Sequence, residues 1–136
     1  NLYQTIKGIS AAAQVVKHGG VIVCASECSD GIPSHGDYGQ ILSERQTPEA
    51  LLEMICTPGY RRPDQWQVQV QAQIQQRAQV FLKADGLTDA EIHAAHFSPI
   101  DDIVASVHEH LACGGPNTQL CVLPEGPQTI PYLQPD

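Results

Sequence analysis

The residues Tyr3-Gln4-Thr5-Ile6-Lys7 form the first group whose types and spacing could do chemistry. On a helix, Tyr3 and Lys7 lie four apart and Gln4 and Lys7 three apart, so all three project to one side near its start. They offer a phenol, an amide and a fixed positive charge beside backbone N–H groups that already favour anions. That is a grip for a carboxylate or a phosphate. The same spacing equally describes a solvated helix face, and spacing alone leaves both readings open.

A second group is Arg61-Arg62-Pro63-Asp64-Gln65-Trp66, which contains the only Trp of the chain. Trp66 either walls off a site and excludes water or anchors a core with its N–H satisfied. The adjacent arginines read as solvated. A third is the Gly-, Ser- and Asp-rich loop over residues 29–39, where glycines would let backbone approach a ligand. It holds no GxGxxG and the chain has no Walker loop, so dinucleotide binding is weakly supported. Cys24 and Cys28 make a CxxxC with His35 seven residues beyond, wide for zinc and lacking a fourth ligand, so no metal site is expected in this chain. His93 and His96 read as helix surface, and His108 and His110 suit the negative end of their helix. No serine sits in a G-x-S-x-G elbow. The residues alone thus give a possible anion site and no complete catalytic set.

Alternating strands and helices would position these groups. Apolar residues at Leu2, Ile6, Ile9, Ala13 and Val16 predict a helix over residues 2–18, ended by Gly19-Gly20. The run 21–25 is apolar on both faces, as in a buried parallel strand. Short helices are expected at about 38–44 and, behind the Thr47-Pro48 cap, at about 48–55. The segment DQWQVQVQAQIQQRAQV fits strict alternation as well as a helical stripe. Its length without Gly or Pro favours a helix. Residues 80–82 predict a second strand, and Thr88 with Glu91 a capping box. A third strand is expected at 95–97, and a helix follows behind Ser98-Pro99 with Ile100, Ile103, Val104, Val107 and Leu111 on one face. A last strand is expected at 120–123. The fold class is therefore α/β: three layers, doubly wound, with a mainly parallel sheet of about four strands flanked by helices. Residues 1–133 make one domain, and 134–136 a tail.

Composition narrows the class. The 136 residues carry seven basic and fifteen acidic side chains, a net charge of −8, which argues against a nucleic-acid or anionic-membrane surface. No apolar run approaches the roughly 18–20 residues of a membrane span, and no signal peptide is visible. Only Lys7, Lys17 and Lys83 are lysines. The odd count of five cysteines fits the cytoplasm. Cys24 and Cys121, inside apolar runs, are expected to behave as small buried hydrophobes. The abrupt start at Asn1 reads as a piece cut from something longer.

The opening NLYQTIKGISAAAQVVKHGGVIVCASECSDG, the later RPDQWQVQ and the closing sequence through LPEGPQTIPYL resemble the C-terminal domain of the nickel-dependent lactate racemase family. The resemblance runs from residue 1 to about 133, with the YQxxK helix, the ECxDG loop and the DQWQ helix start in the same order. It implies a two-domain isomerase acting on a small 2-hydroxy acid in the cleft between its domains. There a nickel pincer nucleotide accepts a hydride from the substrate's α-carbon while a histidine removes the hydroxyl proton. Hydride returned to the opposite face of the planar 2-keto acid gives the other stereoisomer. The tether Lys, the nickel-binding His and the acid/base histidines belong to the N-terminal domain, the expected partner, and none matches here. The domain alone is expected to be inactive and to hold no cofactor. By the same resemblance Tyr3, Gln4 and Lys7 match residues facing cofactor and substrate, and Trp66 matches the tryptophan lining the cleft. Lys7 would act as a charge, orienting the substrate carboxylate and stabilising its developing oxyanion, without serving as acid or base. The alternative from the residues alone is a stand-alone α/β module that binds an anion or a partner and does no chemistry.

Overall fold

A computed structural model describes residues 1–132. Six helices and three strands occur in the order α1 (Leu2–Val15), β1 (Gly20–Ala25), α2 (Tyr38–Ser43), α3 (Pro48–Ile55), α4 (Gln65–Arg77), β2 (Ala78–Lys83), α5 (Asp89–Ala94), β3 (Ser98–Pro99) and α6 (Ile103–Gly114). A 3-10 turn, Gly126–Gln128, follows. The strands form one parallel sheet in the order β1-β2-β3. Gly20 is paired with Ala78 and Ala25 with Lys83, and Phe81 with Ser98.

Alternation along β2 separates the faces. Ala78, Val80 and Leu82 are buried while Gln79 is exposed. Successive residues point to opposite sides, so Phe81 faces away from Leu82, and there it meets the His110 ring of α6, 4.5 Å between centroids. Helices therefore clothe both faces, as an α/β layer fold requires. The core gathers Leu2, Ile6 and Ile9 of α1, Ile41 of α2, Leu51 of α3, Val68 and Ala72 of α4, and Leu82.

The DQWQ segment is a helix, and its alternation has a packing cause. Gln67 and Gln71, one turn apart, are buried at 2% and 1% exposure beside Val68 and Ala72. Burial of an amide is tolerated where it is hydrogen-bonded. Gln67 Nε2 donates to the Tyr3 carbonyl (2.9 Å) and Gln71 Nε2 to the Ala95 carbonyl (2.8 Å). The Tyr38 hydroxyl donates to Gln71 Oε1. The Thr88–Glu91 capping box forms as expected.

Several expectations are corrected. The sheet has three strands among the described residues, one fewer than about four, because residues 120–123 pair with nothing. Leu120, Cys121 and Val122 are exposed, so Cys121 is not a buried hydrophobe. The third strand lies at Ser98–Pro99, not at 95–97, because Ala95 still closes α5 and His96 turns left-handed (φ 63) before the chain extends. Ser98-Pro99 consequently does not cap α6. Asp102 does, its carboxylate accepting the Ala105 N–H at 2.9 Å. The α6 stripe is only partly covered: Val104 is 66% exposed. The proposed tail, 134–136, lies outside the described residues.

Candidate functional site

Burial of Leu2, Ile6 and Ile9 fixes the rotation of α1 and leaves Tyr3, Gln4 and Lys7 on its outer flank. Asn1 caps this helix, its side-chain oxygen accepting the Gln4 N–H at 3.3 Å. Tyr3 is half-buried between two aromatic neighbours. Its ring stands edge-on to Tyr38 at 5.4 Å and to Trp66 at 6.0 Å, with interplanar angles of 75° and 89°. Such edge contacts pair a positive ring edge with a negative face. Trp66 remains 54% exposed. It packs against Tyr3 and is not a core anchor.

A cleft of about 190 Å³ opens here, lined by Asn1, Tyr3, Gln4, Pro33, His35 and Asp64. Burial first, and the Asp64 charge second, push the Tyr3 phenol above its usual range, so it stays a neutral donor. Lys7 lies one turn beyond, exposed and outside the lining. Among the described residues it has no ion-pair partner, whereas Lys83 is paired with Asp85 at 2.9 Å. The structure thus brings Tyr3 and Gln4 together in the cleft, places Trp66 against Tyr3 outside the lining, and sets Lys7 on the same helical flank. Sequence reasoning gave no site role to Asn1, Pro33, His35 or Asp64, although the last three lie in segments it named as candidates. Asp64 reads there simply as the residue opening α4, and His35 lacks a motif.

The arginines differ from each other. Arg61 is exposed, but Arg62 donates from Nε to Asp37 (2.8 Å) and also pairs with Glu44. Two hydrogen-bonded carboxylates, Asp37 foremost, hold its guanidinium protonated. It is a brace.

A larger depression, about 390 Å³, sits at the carboxyl ends of β1 and β2 and is lined by Ala25, Ser26, Glu27, Lys83, Asp85 and Ile103. Its one cation is already neutralised by Asp85, so the Tyr3 cleft carries the stronger chemical case.

No group of three or more His, Cys, Asp and Glu side chains among the described residues is placed to hold a metal ion. His93 is exposed, while His96 Nε2 lies 3.1 Å from the Leu42 carbonyl, so the two do not act as a pair. The Cys28 thiol packs among Thr5 (3.4 Å) and Ser26 (3.6 Å). Burial, with a smaller contribution from Cys28, pushes the Cys24 thiol up to about 11, which makes it a poor nucleophile at neutral pH. No helix among the described residues is long and apolar enough to cross a membrane.

Comparison with known proteins gives the geometry a context. The lactate racemase from Thermoanaerobacterium thermosaccharolyticum is 28% identical over 132 residues, 96% of this chain and 31% of that protein. The lactate racemase from Lactiplantibacillus plantarum is 28% identical over 127 residues, 93% of this chain and 30% of that protein. The chain thus spans less than a third of the length of these relatives. The structure of the lactate racemase apoprotein from T. thermosaccharolyticum superposes with a TM-score of 0.73 over 81% of this chain and 27% of that one, at 28% identity. The family model of the lactate racemase C-terminal domain matches residues 1–130. With one family matched over nearly its whole length, this chain belongs to the lactate racemase C-terminal domain family.

Proposed function

We propose that this domain supplies one wall of the active site of a 2-hydroxy-acid racemase or epimerase, the other wall coming from a preceding N-terminal domain. The observation that carries this reading is a cleft lined by Tyr3 and Gln4 and too small to be complete, with the exposed Trp66 edge-on to Tyr3 beside it. Sites that enclose a small ligand usually measure roughly 300–1,000 Å³. Five free cysteines fit a reducing compartment, the cytoplasm.

The cofactor of this reading is a nickel pincer nucleotide. The described residues do not fit the nickel ion itself, since they hold no cluster of ligands. The exposed face of Trp66, the neutral Tyr3 phenol and the Gln4 amide do fit a flat, hydrogen-bonding group laid against the wall. When bound, that group would accept a hydride from the substrate's α-carbon and return it. Lys7 would hold the substrate carboxylate and oppose negative charge developing on its oxygen. Tyr3 and Gln4 would orient polar atoms of the ligands, and Trp66 would exclude water once the domains close. The acid/base groups lie in the other domain, so the isolated domain would be inactive.

The test is chiral chromatography of single-enantiomer 2-hydroxy acids incubated with the full-length, cofactor-loaded protein. Racemisation is expected, and Lys7→Ala should lower turnover by about 100-fold or more with an unchanged melt, because Lys7 is exposed and unpaired among the described residues. Near-normal turnover in that variant would refute its assignment. A protein that binds such acids without racemising them would favour the stand-alone anion-binding module.

A further inference from the structure

The cleft is tied together by a side chain diverted from its ordinary role. Asp64 precedes α4, where an Asp usually turns its carboxylate onto the free N–H groups of its own helix. No such bond forms here. The residue instead adopts the left-handed region (φ 62, ψ 3), which Asp tolerates better than most side chains. Its Oδ2 reaches across the cleft and accepts the Asp37 N–H at 3.2 Å. Gly36, with φ 74, passes directly under this carboxylate, and a Cβ there would collide with Oδ2. The tie also runs the other way. Asp37 accepts from Arg62 Nε at 2.8 Å, and the Arg62 N–H donates to Gln65 Oε1 at 2.7 Å.

Of the two segments joined in this way, Pro33, His35 and Asp64 line the cleft, and Trp66 lies beside it. His35 is next to Gly36, Trp66 is two residues past Asp64, and Tyr3 stands edge-on to Trp66. We propose that Asp64 is a positioning residue of the cleft: by latching the loop at 33–37 to the start of α4, it holds His35 and Tyr3 together in the lining, with Trp66 packed against Tyr3 beside it. Its effect on turnover rests on the function proposed above, whereas the latch does not.

Trp66, the chain's single Trp, reports the latch without any cofactor. In the full chain, Asp64→Ala and Gly36→Ala should each shift Trp66 emission and raise its quenching by acrylamide, with the far-UV circular dichroism unchanged. Asp64→Asn keeps an acceptor and tolerates the left-handed turn, so it should restore quenching to within about twofold of wild type. In the loaded full-length enzyme, Asp64→Ala should lower kcat about 10–100-fold, the order of loss that a misplacement of about 1 Å produces, with KM little changed. Wild-type emission and quenching in Asp64→Ala, or an Asn variant no better than Ala, would overturn the proposal. Should Asp64→Ala fail to fold, Asp64→Asn and Gly36→Ala decide it. If the wild-type full-length enzyme racemises no 2-hydroxy acid, the proposed function falls, and the fluorescence arm still decides the latch.

Discussion

Tyr38 and Gln71 are fully buried and joined by a hydrogen bond, and the Tyr38 ring supports Tyr3 from below. Burial holds the phenol well above its ordinary range, so it is a neutral donor around neutral pH. Replacing Gln71 with Leu strands this hydroxyl, at about 1–3 kcal/mol for an unpaired buried group. The Ala95 carbonyl loses its 2.8 Å partner but keeps Gln75 Nε2 at 3.2 Å, so it adds little. Tyr38→Phe strands Gln71 Oε1 instead and costs a similar amount, about 1–3 kcal/mol. The double variant Tyr38→Phe/Gln71→Leu leaves neither group unpaired. Its loss should therefore fall short of the sum of the singles by at least about 1 kcal/mol. Urea unfolding followed by circular dichroism measures the cycle, and melting midpoints should track it at about 4 °C per kcal/mol for a domain of this size. Additivity within about 0.5 kcal/mol would refute the reasoning, since it would mean that the two groups find water or other partners.

Thiol labelling should divide the cysteines: Cys56, Cys113 and Cys121 are exposed and should react quickly, while Cys24 and Cys28 should react slowly until the chain is unfolded. Peptide mass spectrometry after a short pulse of iodoacetamide at neutral pH checks this, and early modification of Cys28 would contradict it. The Glu91 carboxyl lies below its usual value of 4.5 because the Thr88 N–H and hydroxyl bond to it. A carboxyl with a depressed folded pKa adds stability that is present above 4.5 and lost as pH falls through the folded value. Glu91→Gln should therefore flatten that acid limb of the stability curve, and an unchanged limb would exclude the capping box as its source.

Periodicity made most of the elements legible because burial follows one stripe: Leu2, Ile6 and Ile9 fixed α1 and with it the flank bearing Tyr3, Gln4 and Lys7. The helix at 65–77 was readable from its length, although its buried face includes two glutamines that hydropathy assigns to solvent. Residues 120–123 have the composition of a strand, but a strand also needs a pairing edge, which composition does not specify. Ser98-Pro99 carries a capping signature whose Ser lies four residues ahead of Asp102, the residue that caps α6, and local signals of similar strength do not rank themselves. In the cleft, Tyr3 and Trp66 were visible as residue types. The latch was not, because it joins Asp37 and Asp64 through one backbone N–H, and a backbone donor leaves no trace in the sequence.

The register of the sheet has a kinetic consequence. Gly20 of β1 is paired with Ala78 of β2, so the first strand is made early in the chain and must wait for a partner about 60 residues later. Closing such a loop costs entropy before any ladder bond repays it, and mixed α/β domains accordingly fold more slowly than helical bundles. In that interval the apolar run from Val21 to Cys24 has no strand to pair with. Expression of this domain should be most vulnerable to aggregation during that wait, and variants that speed the docking of α4 should raise soluble yield without altering the folded state.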